Sequence, residues 1–169
     1  MNDFTDDLAW SHAQSDADWW EDVYRQAFPN FLTMTHLPAD GWAQRAGIDR
    51  LVTLTDGTVL KIDEKVRRSQ WPDILLEYWS DERRRSPGWI AKPLTCDYIA
   101  YAFAPTQVCY LLPFQTLRRA WFVNRQEWVE AYRRIEAQNA GYVTVSVAVP
   151  VPVLLDALAD AMTVKWEAA

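Results

Sequence analysis

Residues 47–67 read GIDRLVTLTDGTVLKIDEKVR, and the register of this hairpin decides how the rest of the chain is read. Strand side chains alternate with period two, and directly paired residues point to the same face. A two-residue loop at Asp56-Gly57 would pair Thr55 with Thr58 and Asp49 with Glu64, and each face would mix apolar with charged side chains. A three-residue loop, Thr55-Asp56-Gly57 with Gly57 in the left-handed conformation, pairs Leu54 with Thr58 instead. One face then collects Ile48, Val52, Leu54, Leu60, Ile62 and Val66, interrupted by Arg50 and Glu64. The other collects Asp49, Leu51, Thr53, Val59, Lys61, Asp63, Lys65 and Arg67. Only this register yields a core face, so it is preferred.

It also sets Asp49 opposite Asp63, with Lys65 two residues along the same face. Two carboxylates at cross-strand distance repel unless a cation lies between them. Oxygen ligands suit Mg2+ or Mn2+. A neighbouring lysine would steady a negatively charged transition state or help activate water. Metal-assisted phosphodiester hydrolysis fits this pattern. A charged strand face that is simply solvated fits it as well.

The order of elements adds a resemblance. An acidic residue on a first helix (Glu21 in DWWEDVYRQAF), then Gly-Ile-Asp, a hairpin and Asp-x-Lys (Asp63 and Lys65 in IDEK) resembles the PD-(D/E)XK nuclease superfamily. It is especially similar to the small, Holliday-junction-resolvase-like members. The stretch CDYIAYAFAPTQVCYLLPFQTL resembles the strand-turn-strand that often follows, so the similarity covers roughly residues 15–120. It implies a restriction-endonuclease-like core and DNA as partner, with a homodimer left open. It implies Asp49 and Asp63 as metal ligands, the main-chain carbonyl of Glu64 as another, Glu21 as a further candidate, and Lys65 as catalytic. The family's crossover helix has little room here, because residues 81–95 contain SPGW and KP.

A chain of 169 residues is expected to form one domain, residues 15–169, behind an acidic leader at 1–14. Half the residues are hydrophobic and 24% are charged, which excludes a disordered chain. Most of the ten tryptophans are expected in the core, with stacking on bases as the alternative for some. No apolar run is long enough to span a membrane, and MNDFTDDLAW lacks signal-peptide order. Cys96 and Cys109 lack metal-ligand spacing, so reduced thiols and a cytoplasmic location are expected. The net charge of -6 argues against a simple nucleic-acid binder, but it is unevenly spread. Residues 1–40 hold eight acidic side chains and only Arg25 as a base; the remainder is about neutral. Lys61, Arg67, Arg68, Arg83, Arg84 and Arg85 are the candidate phosphate contacts. For Arg83 to Arg85, a solvated charged loop is an equal reading.

Along the chain, Ser15 is expected to cap a helix over 16–28, and a short helix near 39–46 precedes Gly47. Strands are expected at 48–54, 58–67 and 73–80, the last carrying Glu77 as a further acidic candidate, then around the turn Ala104-Pro105-Thr106. Helices near 114–122 and 125–138, a strand at YVTVSVAV and a closing helix PVLLDALADAM complete the chain. The expected architecture is mixed α/β, one central mixed sheet flanked by helices. The functional expectation is a Mg2+-dependent DNA endonuclease, with a catalytically silent binding module of the same fold, for example in phage–host conflict, as the alternative.

Overall fold

The computed structural model describes residues 17–37 and 41–167. The acidic leader and the Ser15 cap therefore lie outside the described residues. The fold is mixed α and β. The described chain divides into two compact units, the first comprising residues up to Gln70, Thr95–Leu112 and the residues from Met162 on. The second comprises Trp71–Leu94 and Pro113–Ala161.

The first unit is built on a six-stranded sheet. Its elements are α1 (Trp19–Ala27), β1 (Phe31–His36), α2 (Gly41–Ala46), β2 (Arg50–Leu54), β3 (Val59–Arg67), β6 (Tyr98–Phe103), β7 (Val108–Pro113) and β10 (Met162–Lys165). The strand order is β1-β2-β3-β6-β7-β10. β2 runs antiparallel to β3, and β3 runs parallel to β6. The register of β2 and β3 is the expected one: Val52 faces Leu60 and Thr53 faces Val59. At the turn, Leu54 N–H donates to the Thr58 carbonyl at 2.8 Å, and Gly57 has φ +85°. Asp56 Oδ1 accepts from Thr58 N–H at 2.9 Å, which closes the turn locally.

α1 forms because Trp20, Val23 and Tyr24 recur at helical spacing, and all three are fully buried. They pack on the apolar face of the hairpin with Val52, Ile62, Ala100, Ala102, Cys109 and Leu111. Trp19 stacks on Trp166, just beyond β10, with ring centroids 4.2 Å apart. Each fully buried large side chain contributes about 1.5–3 kcal/mol relative to exposure.

The second unit holds β4 (Asp73–Asp81), β5 (Ser86–Pro87), β8 (Arg134–Asn139) and β9 (Tyr142–Pro150), in the order β5-β4-β9-β8. Its helices are α3 (Phe114–Ala131) and α4 (Val151–Asp156). Three sequence expectations need correction here. There are two sheets rather than one central sheet, because the strand at 73–80 pairs with β9 and β5 instead of joining the hairpin. The helices expected at 114–122 and 125–138 are one helix followed by a strand. The closing helix stops at Asp156, and the residues after it return as β10 beside β7. β1, where the sequence raised no expectation, lies beside β2. The chain from β3 to its parallel neighbour β6 passes through β4 and β5 and contains no α-helix.

Candidate active site

Asp49 is delivered by the turn after α2. Gly47, at φ +68°, ends that helix, and Ile48 N–H donates back to the Ala43 carbonyl at 3.0 Å, the longer bond of a Schellman cap. Asp49 N–H then donates to the Ile62 carbonyl at 2.9 Å. Beyond the last β2–β3 pair, the Glu64 N–H would lack a strand partner, and Asp49 Oδ2 accepts it at 2.8 Å. The Asp49 carboxylate is thereby fixed beside β3.

Asp63 and Lys65 come from β3, on the face away from α1. Asp63 is 6% exposed, and Lys65 Nζ stands 2.8 Å from its Oδ2. That oxygen is buried, and the Lys65 ammonium is the cation that faces it. Burial pushes the Asp63 carboxyl up to about 6; the Lys65 charge opposes this and the Asp49 carboxylate adds to it. Asp49, Asp63 and Lys65 therefore meet on one face, as the register required.

The opposite face at the same level is closed. Arg50 Nε and Nη2 donate to Glu64 Oε1 and Oε2 at 2.5 and 3.1 Å, a two-pronged contact between side chains 5% and 4% exposed. Tyr24 Oη donates to Glu64 Oε1 at 2.6 Å and ties α1 to the hairpin. Burial raises the Glu64 carboxyl above its usual range, against the pull of Arg50 and Tyr24. Burial beside Glu64 also raises the Tyr24 phenol well above its ordinary value. The Glu64 side chain is thus committed to the core. Its main chain is not: the residue is half-buried although its side chain is nearly inaccessible. One strand residue sends its N–H and C=O to the same edge. The Glu64 carbonyl therefore points to the edge where its N–H meets Asp49.

Glu21 does not join this group. It is half-exposed on α1 and pairs with Arg25 at 2.5 Å, while α1 packs on the other face of the sheet. Glu77 lies on β4 in the second unit. Among the described residues, no group of three or more His, Cys, Asp or Glu side chains is placed to hold a metal ion. The site offers two carboxylates whose oxygens suit a hard cation, with the Lys65 ammonium already facing Asp63 Oδ2.

Of the candidate phosphate contacts, Lys61 and Arg67 alternate with Asp63 and Lys65 along β3. Lys61 is held at main-chain level, its N–H donating to Asp97 Oδ2 and its carbonyl accepting from Asp97 N–H, both at 2.7 Å. The Arg67 guanidinium lies 5.9 Å from the Phe103 ring centroid and donates to Ser69 Oγ at 2.8 Å. Arg68 is exposed just past the strand end. Arg83, Arg84 and Arg85 are exposed on the turn between β4 and β5, in the second unit. Cys96 is the residue that sequence reasoning missed. It is buried, and burial together with the nearby Asp63 charge pushes its thiol up to about 12. Nothing in its spacing to Cys109 marked it as a neighbour of Asp63.

No protein-family model, no curated protein and no solved structure matches this chain.

Proposed function

We propose that the chain is a Mg2+- or Mn2+-dependent DNA endonuclease of the PD-(D/E)XK type, built on a restriction-endonuclease-like core. The observation that carries this reading is the meeting of Asp49, Asp63 and Lys65 on one face, with the Asp63 carboxyl buried and its charged form disfavoured. Asp49 and Asp63 would hold the cation, joined by the Glu64 main-chain carbonyl. When bound, the cation supplies positive charge beside the scissile phosphate and acidifies water there. Lys65 presents its ammonium from the same strand face and stabilises negative charge as it develops on phosphate. Lys61 and Arg67, in line along β3, hold the flanking backbone, with Arg68 beyond them. Arg83 to Arg85 enter only as further cations on the second unit.

A second reading has its own observation. Lys65 already balances Asp63, and no third His, Cys, Asp or Glu completes the group among the described residues. That favours a silent version of the fold that binds a macromolecule without cutting it. Incubation with supercoiled plasmid, linear duplex and four-way-junction DNA separates the two. Cleavage in Mg2+ but not in EDTA, lost in Asp63→Ala, is the expected result. Intact DNA in all three forms, with no heat of Mg2+ or Mn2+ binding, leaves the silent module standing.

A further inference from the structure

The second unit carries a cleft of about 730 Å³ between β4 and α3, lined chiefly by Tyr78, Trp79, Trp121, Phe122, Arg125 and Val129. Its size and aromatic lining are those of a binding cleft rather than a packing fault. Trp121 is buried and fixed, and the Tyr78 ring lies 5.7 Å from it and 5.8 Å from Trp79. Phe122 and Val129 are 44% and 39% exposed at the rim. An α-helix places residues three and four apart on one face, so Arg118, Phe122 and Arg125 lie together. Both guanidinium groups rest on the Phe122 ring, 5.0 and 5.8 Å from its centroid. Arg118 Nε is buried and makes no hydrogen bond, so the ring rather than a polar partner holds it there.

Charge decides what such a cleft takes. α3 carries Arg118, Arg119 and Arg125 in its N-terminal part and Glu127 and Glu130 in its last turns, so its cations gather at the Phe122 end of the cleft and its carboxylates at the other. An apolar helix from a partner would have to bury or displace those cations at the rim. A strand of nucleic acid meets both features, because its bases stack on aromatic rings and its phosphates pair with arginine. A duplex keeps its bases stacked inside and cannot reach the rings. Glu130, at the other end of the cleft and bonded by Gln126 at 3.3 Å, offers an acceptor to base amino groups.

We propose that this cleft is a stacking platform for a single-stranded polynucleotide. Bases lie against Tyr78 and Trp79, over Trp121, and backbone phosphates meet Arg118 and Arg125. The proposal concerns binding by the second unit and stands independently of the cleavage reading.

The test is fluorescence anisotropy of labelled dT12 in EDTA at low salt, where no metal-dependent cutting interferes. Saturable binding is expected, with a duplex of the same length competing poorly. Trp79→Ala should weaken it about tenfold or more, the usual consequence of losing one stacked base. Arg125→Ala, at an exposed position that folding does not depend on, should weaken binding and flatten the salt slope by about 0.7. Absence of binding overturns the proposal, as does binding that both variants leave unchanged. Displacement of dT12 by dTMP at equal nucleotide concentration would make the cleft a mononucleotide pocket and overturn it too. An apolar dye seated there that dT12 fails to displace would assign it to an apolar partner, with the same consequence.

Discussion

Asp63 carries a charge the fold does not favour. Its carboxyl titrates at about 6 in the folded chain, against about 3.9 when unfolded. A raised carboxyl stabilises the folded state below the unfolded value and loses that contribution as pH rises through the folded one. The window is therefore about pH 4 to 6, and above it the full penalty, roughly 3 kcal/mol, is in place. Asp63→Asn should raise stability at pH 8 in EDTA, with the gain shrinking towards pH 4; urea unfolding at both pH values measures it. An equal effect at the two pH values would mean that Asp63 is not strained. The meeting of Asp49 with Asp63 was legible from one residue, Gly57, because its left-handed turn fixes which carboxylate faces which. Cys96 was not legible, since its position beside Asp63 depends on the parallel pairing of β3 with β6, which no local pattern announces. Under the proposed nuclease reading the two residues separate by role: Asp63→Ala should abolish Mg2+ binding in calorimetry, whereas Lys65→Ala should keep it and lower cleavage by about 10²–10³. Loss of metal binding in Lys65→Ala would remove the lysine from its proposed role.

At the scale of elements, the hairpin has a charged face and a core face, and Arg50 holds the core side. Its two-pronged contact to Glu64 leaves an uncompensated buried carboxylate if the arginine is removed. Arg50→Ala should cost about 3–5 kcal/mol, read as a shift in the urea midpoint at pH 7. Arg50→Ala with Glu64→Leu should recover much of that loss, because the pair then becomes apolar. A failure of the double variant to recover would place the cost in lost arginine packing. The same face shows why elements were easier to read than their partners. A polar start at Ser15 and Pro29 beyond its end announced the helix over 16–28, and apolar alternation announced β2 and β3. RIEAQN did not announce β8: its residues suit a helix, and only pairing across Gly141 to Tyr142–Val147 makes it a strand. DILLEYWS was read correctly as a strand and assigned to the wrong sheet, because its partner β9 lies far along the chain. Propensity is local and pairing is not.

At the scale of the molecule, the second unit is two insertions, residues 71–94 between β3 and β6 and residues 113–161 between β7 and β10. Neither insertion is announced locally, because neither is flanked by a Gly- or Ser-rich linker. Charge is the other property of the whole. A net charge of -6 repels DNA at long range, but that field fades within about 10 Å at 0.1 M salt. In the proposed reading duplex binding comes from the few cations on and just past β3, Lys61, Lys65, Arg67 and Arg68, opposed at short range by Asp49 and Asp63. With four contacts, log affinity against log salt should slope no more steeply than about -4. The sign of the magnesium effect distinguishes the two functional readings. Lys65→Ala, which keeps both carboxylates and cuts little, is the protein to use, in a duplex titration at constant ionic strength. If Asp49 and Asp63 take a cation, Mg2+ removes the local repulsion and duplex affinity should rise, whereas Asp63→Ala should gain affinity without Mg2+ and respond to it weakly. In a silent binder the cation has no seat. Mg2+ would then only compete for phosphate and weaken binding in both variants alike, and that outcome would end the nuclease reading.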